Sequence, residues 1–443
     1  MKKHIIQVEE RPPIQQFIPL SLQHLFAMFS ASVLVPTLLG INPAVVLFMN
    51  GVGTLIYILV TKGKAPAYLG SSFAYIAPAT IIIGSTGLGY AYALGGFVVT
   101  GALFCVIALI IKFCGTKWID AILPPAAMGA VVALIGLELS GTAAKMGGLV
   151  LHDNYKQIDP KQVIVFLITL CVAVFGSVLF KKFLAVIPIL VAIVVGYVVS
   201  ACLGMVQWGA VNAAPVFAIP HFQMAKFNWN AISIVLPATL VVVSEHIGHQ
   251  IVTSKIVGRN IIKDPGLHRT LMGDGVSTMI SGLVGSVPTT TYGENIGVMA
   301  MTGVYSVWVI GGAAVISIII SFFGKVSAVI QAIPSPVMGG VSFLLYGMIA
   351  TSGIRLLVEQ KVDYSRSRNL AMTSVILVTG LSGAFIQIGQ IQLTGMSLGA
   401  CVAMIMGFIF WIIDKFHAAN DYDDAEEPSD AVKTEPAESS VTQ

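Results

Sequence analysis

Charged side chains are scarce in this 443-residue chain: Asp, Glu, Lys and Arg make up 10% of it, where a soluble domain carries about 25%. With 56% hydrophobic residues, that scarcity excludes a protein whose main solvent is water. Cysteine is sparse too. The five residues Cys105, Cys114, Cys171, Cys202 and Cys401 lie in or at the ends of apolar runs. None has the CxxC spacing of a zinc or redox site, which leaves packing as their expected role. There is no GxxxxGK phosphate loop, no HExxH motif and no polar domain to hold a cofactor, so an enzyme is not expected. No cofactor, metal or nucleic-acid partner is expected either. Residues 1–13 are polar and show no cleavable pattern, so the first apolar run is expected to stay as a membrane span.

Long apolar runs are what the chain has instead, and they follow one another from about Ile18 to about Ile413. Windows of about 20 residues place spans at 18–39, 44–61, 67–84, 88–111, 119–139, 163–180 and 184–206. A second group covers 229–252, 267–285, 286–302, 306–323, 336–352, 370–388 and 393–413. The expected fold is an all-α polytopic membrane protein of about fourteen segments in contact with membrane lipid. With a cytoplasmic N-terminus, five of the 24 basic residues fall outside: Lys145, Lys156, Lys161, Lys226 and Lys325. That bias puts both termini in the cytoplasm, in the bacterial inner (plasma) membrane. Residues 421–443 (DYDDAEEPSDAVKTEPAESSVTQ) are acidic and too poor in apolar groups to bury a core, and are expected to be a disordered tail.

The two halves echo each other. Ala121, Ile122, Pro125, Gly129, Leu134 and Gly136 recur 211 positions later as Ala332, Ile333, Pro336, Gly340, Leu345 and Gly347. Gln23-His24 echoes Glu245-His246 more loosely. Repeats of seven segments, an odd number, must sit in opposite orientations, the plan of many secondary transporters. The third and tenth segments begin YLGSSFAYIAP and SVPTTTYGEN, rich in Gly, Ser, Thr and Pro. Each predicts a short extended stretch leading into a half-length helix, whose free N–H groups can meet a polar substrate.

Acids within the spans are few, namely Glu138, Glu245, Asp274 and Glu294, with Asp120 near an edge. A charge at membrane depth costs about 2.5–3.5 kcal/mol on insertion scales, so each needs a reason. Glu245 and His249 are four residues apart and share a helix face, where they either handle protons or lock helices together by hydrogen bonds. His246 points to another face, where packing is the plainer role. Glu294 follows Tyr292-Gly293 at a helix break, where ligand groups and backbone amides converge. Glu138, near the external end of its span, is expected to pack or snorkel to water. The role of Asp274, between two glycines, stays open.

The strings SLQHLFAMF, PAYLGSSFA, PPAAMGA, SEHIGH, DPGLHR, TTYGENIGVMA and PVMGGVS, with Glu294-Asn295-Ile296-Gly297 followed by Thr302-Gly303, carry a resemblance. The chain resembles the nucleobase/ascorbate transporters (nucleobase–cation symporter 2), and among them the bacterial uracil permeases, from about Arg11 to Ile413. The resemblance implies proton-coupled uracil symport, with the proton as coupling ion and a homodimer as a possible assembly. Inverted repeats around a site between two bundles, with the small residues of PVMGGVS for sliding contact, give elevator-like alternating access as the expected motion. The resemblance also implies a core (18–118 and 229–327) and a gate (119–228 and 328–413), flanked by cytoplasmic segments 1–17 and 414–443. By matching motifs it places substrate contacts on Phe73, Glu245, Gly293, Glu294 and Tyr346, and proton coupling on Glu245 and His249. The chain departs at Thr289 and Asp274, where a related permease has Asn. Uracil offers two N–H donors and two carbonyl acceptors, which carboxylates and helix-start amides complement. The rival readings are a xanthine or urate permease of the same family, and an anion transporter, whose cargo two carboxylates would repel.

Overall fold

The computed structural model describes residues 5–84, 86–150, 158–181, 184–185, 187–388 and 391–416. The acidic tail, Lys156 and Lys182 lie outside the described residues. In the first half, α1 (Ile14–Leu39) and α2 (Pro43–Val60) precede strand β1 (Leu69–Ser71), a 3-10 turn (Phe73–Tyr75) and α3 (Ile76–Gly84). Then come α4 (Tyr90–Cys114), α5 (Lys117–Ile122), α6 (Pro125–Met146), α7 (Pro160–Leu179), α8 (Pro188–Cys202) and α9 (Trp208–Ala213). The second half has α10 (Trp229–Val257), α11 (Leu267–Val284), β2 (Thr289–Thr291), α12 (Gly293–Thr302) and α13 (Val307–Ser321). It continues with α14 (Gly324–Gln331), α15 (Ser335–Glu359), α16 (Ser367–Leu381), β3 (Phe385–Ile388), β4 (Ile391–Thr394) and α17 (Gly395–Lys415). Eight of the described helices are long and apolar enough to cross a membrane.

Both expected extended stretches are present and meet. β1 and β2 pair antiparallel, Leu69 opposite Thr291 and Ser71 opposite Thr289. A buried two-stranded pair leaves outer backbone groups without strand partners, and hydroxyls serve them. Thr54 accepts from the Leu69 N–H at 2.9 Å. Thr278 accepts from the Thr289 N–H at 3.2 Å and donates to the Thr289 carbonyl at 2.9 Å. Gly70 is required here, since a Cβ would lie 2.3 Å from the Tyr292 ring.

Two expected spans are corrected. The span at 119–139 is broken, because Pro124 caps α6 with extended backbone and separates it from α5. The span at 370–388 stays helical only to Leu381, and Phe385–Ile388 (β3) instead pairs antiparallel with Ile391–Thr394 (β4) within FIQIGQIQLT. Its alternation of Ile and Gln has a period of two, which is strand spacing. Cysteine packing is also corrected: Cys114, Cys171 and Cys202 are exposed.

Two sets of helices pack internally. In one, α4 lies on α11 and α10, and α2 on α13 and α11; in the other, α6 lies on α15, α16 and α17, and α7 on α8 and α15. α10 touches α17 and α6 across the seam. The expected boundaries at 118/119 and 327/328 fall inside the short helices α5 and α14. Small residues allow the close crossings: a Cβ on Gly101 would sit 2.4 Å from the Met279 nitrogen, and one on Gly136 2.1 Å from the Tyr346 carbonyl oxygen. Backbone cannot yield as a side-chain tip does. Gly136→Ala is therefore expected to lose about 1–3 kcal/mol of stability from overpacking. Gly141→Ala, in the same helix with nothing within 4 Å, should be neutral or gain up to about 1 kcal/mol. Thermal unfolding of both purified variants checks the pair.

Residues 5–11 strap one end of the first set. Ile6 accepts from the Tyr305 N–H at 2.8 Å and donates to the Gly303 carbonyl at 3.0 Å, while Arg11 lies 3.3 Å over the Trp308 ring. Arg259 donates to Glu9 at 2.5 Å and holds that carboxyl below the usual carboxylate range. The contact stabilises at neutral pH and is lost as pH falls through the lowered value.

Candidate functional site

The site grows out of the β1–β2 crossing. Each strand runs into a helix start that no side chain caps: the 3-10 turn at Phe73 and α12 at Gly293. Orphan N–H groups at a helix start attract acceptors. Glu294 occupies the first turn of α12, beside these amides.

α10 passes alongside. Asn228 starts it by accepting from the N–H groups of Asn230 and Ala231. Its i, i+4 face presents Glu245 and His249, as the spacing predicts. The His249 Nδ1 bonds to the Thr291 hydroxyl at 3.0 Å. A Cβ on Gly293 would come within 3.4 Å of His249 Nε2, so the ring sits against the start of α12. Glu245 and Glu294 are near enough for their charges to interact. Glu245, His249 and Glu294 are half-buried, whereas Gly293 is exposed.

Across the seam, Tyr346 of α15 is buried and meets Phe73 edge-on, ring centroids 6.3 Å apart. The sequence-derived residues thus gather as His249, Gly293 and Glu294 at α12, with Glu245 alongside, and as Phe73 with Tyr346 between the two helix sets. Glu138 stands elsewhere, its carboxylate accepting from the Met396 N–H at 2.8 Å near the start of α17.

Other contacts were missed by sequence reasoning. Thr291 orients His249. The Tyr292 hydroxyl donates to the Ser71 carbonyl at 2.9 Å and ties the two strand ends together. Asn295 donates to the His24 carbonyl at 3.0 Å, joining α12 to α1. The TTT run was the available signal, since β-branched hydroxyl residues suit a short buried strand that must also bond sideways. Among the described residues no group of three or more His, Cys, Asp or Glu is arranged to hold a metal ion. A cavity of about 420 Å³ lies away from these residues, between the start of α2, α9 and α14, where Asn42, Gln207 and Gln331 line it.

Residues 15–389 match the Permease family. The chain is 56% identical to the uracil permease of Paenibacillus larvae subsp. larvae over 423 residues, covering 95% of this chain and 100% of that protein. It is 54% identical to the uracil permease of Escherichia coli strain K12 over 427 residues, covering 96% and 99%. Among solved structures, the transmembrane domain of a cyanobacterium bicarbonate transporter, BicA, superposes with a TM-score of 0.63 at 14% identity, covering 91% of this chain and 100% of that one. The murine Solute Carrier 26 family member A9 anion transporter, in its inward-facing state, gives 0.68 at 11% identity, covering 92% and 69%. Those two likenesses concern the fold alone. With apolar helices of spanning length and relatives matched end to end, the chain is an integral membrane protein that belongs to the Permease family and resembles its bacterial uracil permeases.

Proposed function

We propose that this protein carries uracil into the cell together with a proton. The observation that carries the substrate is identity above 50% over nearly the whole chain to two proteins named uracil permeases. The geometry suits that cargo. Carboxylates of Glu245 and Glu294 can accept the two ring N–H groups, amides at Gly293 and Glu294 can donate to a carbonyl, and Phe73 and Tyr346 can flank the ring. His249, bonded to Thr291 and set against Gly293, exchanges a proton with Glu245 one turn away in this reading.

The fourteen segments of this reading are α1, α2, β1 with α3, α4, α6, α7 and α8, then α10, α11, β2 with α12, α13, α15, α16 and α17. They form two inverted repeats, with core segments at 18–118 and 229–327 sliding past gate segments at 119–228 and 328–413, and both termini cytoplasmic. Anion transport, suggested by the fold of the solved neighbours, fits poorly with two carboxylates at the site, because like charges repel.

Uptake of radiolabelled uracil tests the reading. Excess unlabelled uracil should abolish it, while xanthine, hypoxanthine, sulfate and bicarbonate should leave it nearly unchanged. Collapse of both ΔpH and membrane potential should reduce uptake to background. Uptake that survives that collapse rules out proton symport, and failure to take up labelled uracil while labelled xanthine is carried rules out the pyrimidine.

A further inference from the structure

Behind β2 lies a buried pair that the transport reading does not use. His246 Nδ1 is 3.0 Å from Asp274 Oδ2, and both side chains are fully buried. His246 Nε2 is 3.0 Å from the Thr270 hydroxyl. Thr270 in turn donates to the Leu267 carbonyl at 3.0 Å. Thr290, in the middle of β2, lies with its hydroxyl 3.5 Å from the same Asp274 oxygen. Asp274 Oδ1 has no partner.

Hydrogen-bond accounting decides where the protons are. Because the Thr270 hydrogen goes to Leu267, Nε2 must supply the hydrogen in its own contact. Nδ1 and Oδ2 then need one more hydrogen between them, so the pair is either acid with imidazole or carboxylate with imidazolium. Both forms are neutral. The remaining arrangement turns the Thr270 hydrogen toward Nε2 and leaves neutral His246 beside an anionic Asp274. That would strand a net negative charge at zero exposure with one oxygen unpaired, the costliest state available. The titratable groups facing the pair are Tyr57 of α2, Tyr75 of the 3-10 turn, and Glu245 and His249 of α10. The first three are acids and add no counter-charge.

We infer that His246 and Asp274 form a charge-neutral pair that keeps its proton throughout transport and positions β2. The inference rests on the site proposed above. α11 holds β2 through Asp274 near Thr290 and through Ser277, whose hydroxyl is 2.7 Å from that of Thr289. α10 holds the same strand through His249 on Thr291. Asp274 is thus a positioning residue whose acid acts as a fixed polar link, and the variable charges belong to Glu245, Glu294 and His249. An Asn at position 274 would donate its Nδ2–H to a neutral imidazole in the same place, so the departure from Asn leaves the charge of the pair unchanged.

Asp274→Asn and Asp274→Ala test this in the full-length protein. Proton titrations of wild type and Asp274→Asn should superpose from about pH 5 to 8, the range in which His ordinarily titrates. One extra proton released by wild type in that window overturns the inference. In calorimetry with buffers of different ionisation enthalpy, Asp274→Asn should bind uracil within about threefold of wild type and exchange the same number of protons. Asp274→Ala leaves Nδ1 unpartnered and should bind about tenfold more weakly. Folded Asp274→Ala protein with wild-type affinity would show that the pair positions nothing. Should wild type itself fail to bind uracil, the site reading fails, while the titration comparison still decides the protonation of the pair.

Discussion

Replacing Glu294 by Gln is expected to weaken uracil binding about ten- to hundredfold, the equivalent of losing one charge-assisted hydrogen bond of about 1.5–3 kcal/mol. Gln keeps the shape of Glu, so the first turn of α12 should form as before. What changes is one oxygen, which becomes an NH₂ donor, so a ring N–H either loses its charged acceptor or faces another donor. Glu138→Gln is the matched control. The Glu138 carboxylate accepts from the Met396 N–H at 2.8 Å, a bond that the remaining amide oxygen of Gln can keep. Its uracil affinity should therefore stay within about threefold, as changes outside a binding site usually do. Calorimetry on the two purified variants decides: full affinity in folded Glu294→Gln protein, or a larger loss in Glu138→Gln, sinks the assignment of Glu294 to the substrate.

Much of the scaffold was legible because membrane solvent imposes a strong signal. Apolar runs of about 20 residues and the breaks at YLGSSFA and SVPTTTYGEN located the helices and both strands at the crossing. The breaks read clearly because Gly, Pro and consecutive Thr are poor helix formers at a depth where irregular backbone is otherwise excluded. The pairing of β3 with β4 escaped because the Ile and Gln residues there average to a moderately apolar window, and window averaging hides a period of two. Pro124 was visible but was absorbed into an apolar run, although a proline pair is a natural place for α6 to begin.

Within the site, spacing along one helix was enough to put Glu245 and His249 on a common face. It could not show what the other face of α10 meets. His246 looked like a packing residue and Asp274 had no clear role, since their partnership joins α10 to α11 across 28 positions of sequence. The TTT run hinted at hydroxyls that bond sideways, but not that Thr291 reaches a histidine 42 residues away, since such a contact leaves no periodic trace. Contacts between elements decide such roles, and a single sequence without a fold does not contain them.

Covalently joining α10 to α17 is expected to abolish uptake while leaving binding intact. The Ser397 hydroxyl of α17 lies 3.5 Å from the Ile234 carbonyl of α10, so the two helices touch where the proposed core meets the proposed gate. Transport by sliding requires this contact to break once per cycle, because the substrate is held by core residues Glu245 and Glu294 and must change sides with them. A disulfide between Ile234→Cys and Ser397→Cys would hold one register. Oxidised protein should lose uptake to background, bind uracil within about threefold of the reduced form, and recover uptake when a thiol reductant is added. Retained binding separates a blocked motion from a damaged site, and recovery separates it from misfolding. Transport at the wild-type rate by fully cross-linked protein would mean that α10 and α17 do not move past each other, and that the substrate crosses by a local rearrangement around β1 and β2 instead.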